Sequence, residues 1–208
     1  MSDLHKALGD ITSIRRQLAL TTEFRGYGPV TLAATGLLAL AAAAAQSRWL
    51  PAPAHHPHAY ITLWIATAVL SAALIAFETL TRSRRIHSGL ASEMIYMAVA
   101  QFLPAAAAGL LAALVLALAA PTALWMLPSL WQIIFSLGVF ASCRFLPRPI
   151  LAVGIWYLLT GLICLSASGA AALNPWAMGL PFAIGQMLVA AILYFTAEPT
   201  DLTEPTDA

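Results

Sequence analysis

Six runs of about twenty mainly apolar residues, separated by charges or proline-rich breaks, constrain this chain more than any other feature of it. They extend over residues 28–46, 60–80, 94–119, 124–143, 150–168 and 178–197. A helix needs roughly 20 such residues to cross a hydrocarbon core about 30 Å thick, and lipid admits only backbones that satisfy their own polar groups. The runs therefore predict six transmembrane helices. The narrowest break lies between the third and fourth, where only residues 120–123 intervene and Pro121 and Pro128 interrupt the pattern. A single helix over 94–143 would be about twice the length of a span. Composition agrees, since 61% of the 208 residues are hydrophobic and 9% charged, against about 45–50% and about 25% in soluble domains. The fold class expected is all-α: a polytopic integral membrane bundle of six transmembrane helices, preceded by one cytoplasmic amphipathic helix.

That preceding helix is read from Leu4, Leu8, Ile11, Ile14 and Leu18, which recur every three or four residues, with Lys6, Asp10, Ser13, Arg16 and Gln17 on the opposite side. Ser2 or Asp3 suits its N-cap. The tail repeats Glu-Pro-Thr-Asp from Glu198 and again from Glu204, and with one aliphatic residue, Leu202, it has too little apolar surface to fold. Three regions follow: 1–27, cytoplasmic amphipathic helix and linker; 28–197, the six-span domain; 198–208, a disordered acidic cytoplasmic tail.

Orientation follows from the positive residues, which short loops retain on the cytoplasmic side. With the N-terminus inside, nine of the ten Lys and Arg are cytoplasmic and Arg48 alone is outside. An even span count returns the C-terminus to the cytoplasm, and five of the six tryptophans, all but Trp156, fall in or near the outer ends of spans. A competing reading takes 37–45 and Gln46 as the apolar region and Ala-x-Ala cleavage site of a signal peptide. Against it, 27 mostly polar residues precede the run, and Pro29 suits the first turn of a retained helix.

Most chemistry is excluded by what the spans lack. Net charge is +1, so no basic face exists for a phosphate backbone, and no nucleic-acid partner is expected. The spans hold no His, Asp or Lys, which removes a retinal Schiff base, bis-His haem ligation and intramembrane aspartyl proteolysis. No H-E-x-x-H, P-loop or G-x-S-x-G motif occurs. No catalytic residue, no cofactor and no enzymatic activity is expected. His55, His56 and His58 are the candidate metal ligands, since imidazole suits Zn, Cu or Ni. Flanking prolines point such neighbours apart, however, and the outer loops contain no carboxylate or thiol to complete coordination. Cys143 and Cys164 fall toward opposite ends of antiparallel spans, which separates them too far for a disulfide.

Three features remain. Gln101, Gln132 and Gln186 are intramembrane amides expected to face the bundle interior and to bond other helices or line a polar path for a neutral solute. Glu78, Arg82, Arg84, Arg85, His87 and Glu93 form an inner-face charged cluster, with Glu78 and Arg82 at ion-pair spacing. It reads as a cytoplasmic anchor or, alternatively, as a proton or ion gate. Ala105, Gly109, Ala113 and Ala117 repeat every fourth residue, and small residues so spaced let helices approach closely. They place span 3 in the middle of the bundle.

The blocks QFLPA from Gln101, WMLPSLWQ from Trp125, FSLGVFASCRFLP from Phe135 and PWAMGLPF from Pro175 together resemble a family of bacterial six-span inner-membrane proteins. The resemblance implies a multi-pass inner-membrane location and the same topology. It carries over no catalytic or binding residue, because that family has no assigned activity. Two functional expectations follow: a membrane-embedded scaffold, sensor or regulatory partner, or a small transporter or channel for a neutral or weakly ionised solute. The lipid bilayer is one expected partner, and a cytoplasmic protein or a second copy of the chain is the other.

Overall fold

The computed structural model describes residues 28–85, 89–143, 146–167 and 169–196. The amphipathic segment and the acidic tail expected from the sequence lie outside the described residues. Every regular element is helical: α1 Pro29–Trp49, α2 Pro57–Arg85, α3 Gly89–Ala119, α4 Leu127–Ser142, α5 Ile150–Ala167, the single turn α6 Gly169–Ala172, and α7 Pro175–Thr196. Two 3-10 turns, Pro53–His55 and Pro121–Met126, precede α2 and α4, the second running directly into its helix. Six of the helices are long and apolar enough to cross a membrane, and they coincide with the six apolar runs.

Proline sets most of the boundaries. Pro29, Pro57 and Pro175 each open a helix, and Pro121 opens the 3-10 turn. At that position a missing N–H costs nothing, while the fixed φ favours the first turn. Asn174 completes the start of α7 by accepting the Trp176 backbone N–H through Oδ1 at 2.9 Å. Pro104 and Pro181 instead lie inside α3 and α7. Each withholds the N–H that would have bonded the carbonyl four residues earlier.

The helices pack in the order α2, α1, α7, α5, α4, α3, with a light contact between α2 and α3. The most extensive pair is α1 with α7. Its cause is a seam of small residues, where a methyl on Gly36 would stand 3.1 Å from the Ala183 carbonyl oxygen and one on Gly179 3.3 Å from that of Ala39. Backbones this close gain dispersion contacts that larger side chains would prevent.

One core cluster gathers Tyr60, Trp64, Leu127, Leu173 and Met178 at the end of the bundle that carries Trp49. A second, of Val139, Ile150, Val153 and Tyr157, lies toward the end that carries Gly28. Between α3, α4, α5 and α7 the rings of Phe102, Phe135, Tyr157 and Phe182 stack edge to face or tilted, with centroids 4.7–5.3 Å apart. This is the preferred geometry for aromatic quadrupoles.

Span 3 does not occupy the middle of the bundle. Only 6% of its membrane-length window is buried, against 44% for the window that includes α4. Its stripe packs against α4: Ala105 against Gly138, Gly109 beneath the Trp131 ring, and Ala113 fully buried. That single seam is all the stripe provides. Leu103, Leu110, Leu111, Leu114 and Leu118 on the other faces are exposed, and lipid solvates leucine as well as another helix does.

Candidate functional site

Three deeply buried polar side chains, Gln46, Ser129 and Gln132, lie toward the Trp49 end. Gln46, on α1, is 1% exposed. Its Nε2 donates to the Leu173 carbonyl at 2.9 Å, and its Oε1 accepts the Trp64 indole N–H at 2.8 Å. One amide thus ties α1 to α2 and to the break between α6 and α7. Leu173 needs such a partner because it lies between two helices, where no turn of helix supplies an N–H to its carbonyl.

Gln132 does the same for a different break. Pro181 has no N–H to offer Ala177, four residues earlier, and the Ala177 carbonyl accepts Gln132 Nε2 at 2.9 Å instead. The Cys164 thiol lies 3.8 Å from the Ala172 carbonyl, again beside the α6–α7 break. Trp131 and Trp156 donate across helices to the carbonyls of Gly109 at 2.9 Å and Pro181 at 3.0 Å. The buried hydroxyls of Thr35, Ser136 and Ser142 bond within their own helices, to Leu32, Ile133 and Gly138.

Two polar atoms in this region have no hydrogen-bond partner among the described residues: the Tyr60 hydroxyl and Gln132 Oε1, both on residues with 0% exposure. At the same end opens a cleft of about 540 Å³ lined by Ser47, Leu50, His55, Leu173 and Asn174, among others.

The sequence-derived candidates separate under this geometry. Of the three intramembrane glutamines, Gln132 is buried and bonded as described, and Gln186 is half-buried within hydrogen-bonding reach of the Tyr157 hydroxyl. Gln101 is exposed, contrary to the expectation that it faces the interior. Glu78 is half-buried, and its carboxylate fills the space that a side chain on Gly28 would need at the start of α1. A carboxylate at a helix N-terminus is favourably placed against the macrodipole.

The side chains of Arg82, Arg84, Arg85 and Glu93, and all of His87, lie outside the described residues. His55 lines the cleft, while His56 and His58 are exposed, and no group of three metal-ligating side chains comes together among the described residues. Cys143 and Cys164 are both free thiols.

Gln46 was not among the sequence candidates, because its place after an alanine run resembles the flank of a cleavage site. A usable signal was present nonetheless. Gln46 is a polar residue inside an apolar run, one helical turn before a proline-rich loop.

The fold is that of an all-helical protein compatible with a multi-pass membrane setting, held together by amides bonded to broken backbone. No protein-family model, curated protein or solved structure matches this chain.

Proposed function

We propose that this chain is a multi-pass protein of a bacterial inner membrane with both termini cytoplasmic, acting there as a scaffold, sensor or regulatory partner and not as an enzyme. The observation that carries this reading is the use of the buried amides. Gln46 and Gln132 each donate to a main-chain carbonyl that a helix break leaves free, at Leu173 and Ala177. Polar groups so bonded hold helices in register. A solute path needs donors and acceptors that turn to a passing molecule.

The aromatic layer of Phe102, Phe135, Tyr157 and Phe182 lies below Gln132, toward the Gly28 end, and supports the same conclusion. Retention of α1 is supported by its packing, because the residue at the competing cleavage point, Gln46, bonds both Trp64 and Leu173.

Two measurements test the proposal. In a background lacking Cys143 and Cys164, single cysteines at Ala54 and Asn174 should react with an impermeant reagent added outside the cell, whereas those at Ser83 and Thr200 should not. Labelling at Thr200 would overturn the even span count with an internal N-terminus. In reconstituted vesicles, uptake of urea or glycerol should equal that of protein-free vesicles at every pH. Uptake that Gln132→Leu abolishes, or whose pH dependence Glu78→Gln or Glu93→Gln removes, would replace the scaffold with a transporter.

A further inference from the structure

Proline interrupts two of the long helices from within, and only one of the two interruptions is repaired inside the chain. Pro181 frees the Ala177 carbonyl, which accepts Gln132 Nε2 at 2.9 Å. Pro104 frees the Ala100 carbonyl in the same way, and no described side chain donates to it. A glutamine stands beside this break too. Gln101 is exposed, and among the described residues it has no hydrogen-bond partner.

In water neither group would need protein. In hydrocarbon both do, because an unbonded amide or carbonyl there has no solvent to turn to. The mainly apolar residues 94–100 separate Gln101 from Glu93, about 10 Å of helix and more than a glutamine side chain spans.

The surroundings of Gln101 have the pattern of a helix seam. Met97, Gln101, Pro104, Ala108, Leu111 and Val115 follow one another at intervals of four, three, four, three and four, and all six are exposed. This is heptad spacing, the narrow stripe with which one helix meets a single other. Ala100 and Ala108, one turn to either side of Pro104, leave room for a second backbone. At 100° per residue, Ala100 lies about 40° to one side of Pro104 and Gln101 about 60° to the other. A two-fold axis running past Pro104 along the helix sets one flank of each copy against the opposite flank of its mate. Gln101 of each copy then meets Ala100 of the other, at nearly the same depth because the two are successive residues.

We propose that two copies of this chain associate through this side of α3, parallel and about a two-fold axis along the membrane normal, each Gln101 amide donating to the Ala100 carbonyl of the other copy. The pairing does between chains what Gln132 does for Ala177 within one. It is isologous, so one substitution removes both bonds. A polar pair at a single heptad position also fixes the register of the two helices. The interface rests on the membrane reading proposed above, in which lipid and not water faces α3.

The test uses the full chain lacking Cys143 and Cys164, in liposomes. Under mild oxidation with copper phenanthroline, Val115→Cys should give a disulfide-linked dimer, whereas Leu110→Cys, equally exposed but off the stripe, should not. Energy transfer between labelled copies over a range of protein-to-lipid ratios gives the association constant. Gln101→Leu should weaken it about tenfold, and Pro104→Ala, which returns an N–H to the Ala100 carbonyl, by a similar factor. Unfolding of single chains diluted in micelles should be unchanged by Gln101→Leu, which separates association from folding. Equal cross-linking at Val115 and Leu110 overturns the interface, as does an association constant untouched by Gln101→Leu or by Pro104→Ala. Release of the chain from membranes by alkaline carbonate would instead refute the membrane reading on which the interface depends.

Discussion

The α1–α7 seam and the α3–α4 seam are built from the same material and end in different places. Both align small residues: Gly36, Ala39, Ala43, Gly179 and Ala183 in the first, Ala105, Gly109, Ala113 and Gly138 in the second. The first brings backbone against backbone, with carbonyl oxygens 3.1–3.3 Å from the space above each glycine. The second places a tryptophan ring over Gly109, with its nearest atom at 3.4 Å. Helix α1 has further partners in α2 and in the Gln46 bonds, whereas α3 has little beyond α4.

Across the six spans, burial does not follow hydropathy. The third span is the most apolar and the least buried, while the first and fourth are the least apolar and the most buried. In water that ranking would be inverted. In lipid, apolar surface gains nothing by leaving one hydrocarbon surrounding for another, so small residues and hydrogen bonds decide which helices become central.

The largest effect that would break this comparison is steric. Gly179→Leu should destabilise the folded bundle by about 3 kcal/mol, because the Ala39 and Ala43 backbone cannot withdraw. Gly109→Leu should cost about 1 kcal/mol, since Trp131 can rotate and α3 can shift outward into lipid. Unfolding in mixed micelles measures both, and equal losses would remove the distinction between the seams.

Next in size is Gln46→Leu, which strands the Trp64 indole N–H and the Leu173 carbonyl together. It should cost about 2 kcal/mol in the same assay. A loss no larger than that of Gln101→Leu would show that the ties at the Trp49 end do not hold the bundle.

A smaller effect sharpens the account of Gln132. Alone, Gln132→Leu should cost about 1 kcal/mol, because the Ala177 carbonyl loses its donor. In a Pro181→Ala background the restored backbone N–H bonds that carbonyl, and the same substitution should become nearly neutral. Additive costs would mean that the freed carbonyl is not what Gln132 serves. Smallest of all is Gln101→Leu, at about 0 kcal/mol or slightly stabilising, because an exposed amide on an apolar helix has no partner there to lose.

The sequence by itself determined the six helices long and apolar enough to cross a membrane, and nearly where each begins, because chain length against bilayer thickness and the missing N–H of proline are properties of local sequence. It also marked Gln132 as a residue that needs a bond, since an amide in an apolar run has nowhere else to go. It did not determine which helices are central. Ala105, Gly109 and Ala113 read as a packing face in the sequence, and Ala39, Ala43, Gly179 and Ala183 read the same way to anyone who counts fours.

Which stripe meets backbone and which meets a ring depends on the surface opposite, and that surface belongs to a residue dozens of positions away. Gln46 and Gln101 make the same point for polar groups. Each is a glutamine near the end of an apolar run, yet one meets an unbonded carbonyl 127 residues along the chain and the other faces outward. The tertiary structure decided between them because a hydrogen bond requires a partner in place, and only the assembled bundle supplies it.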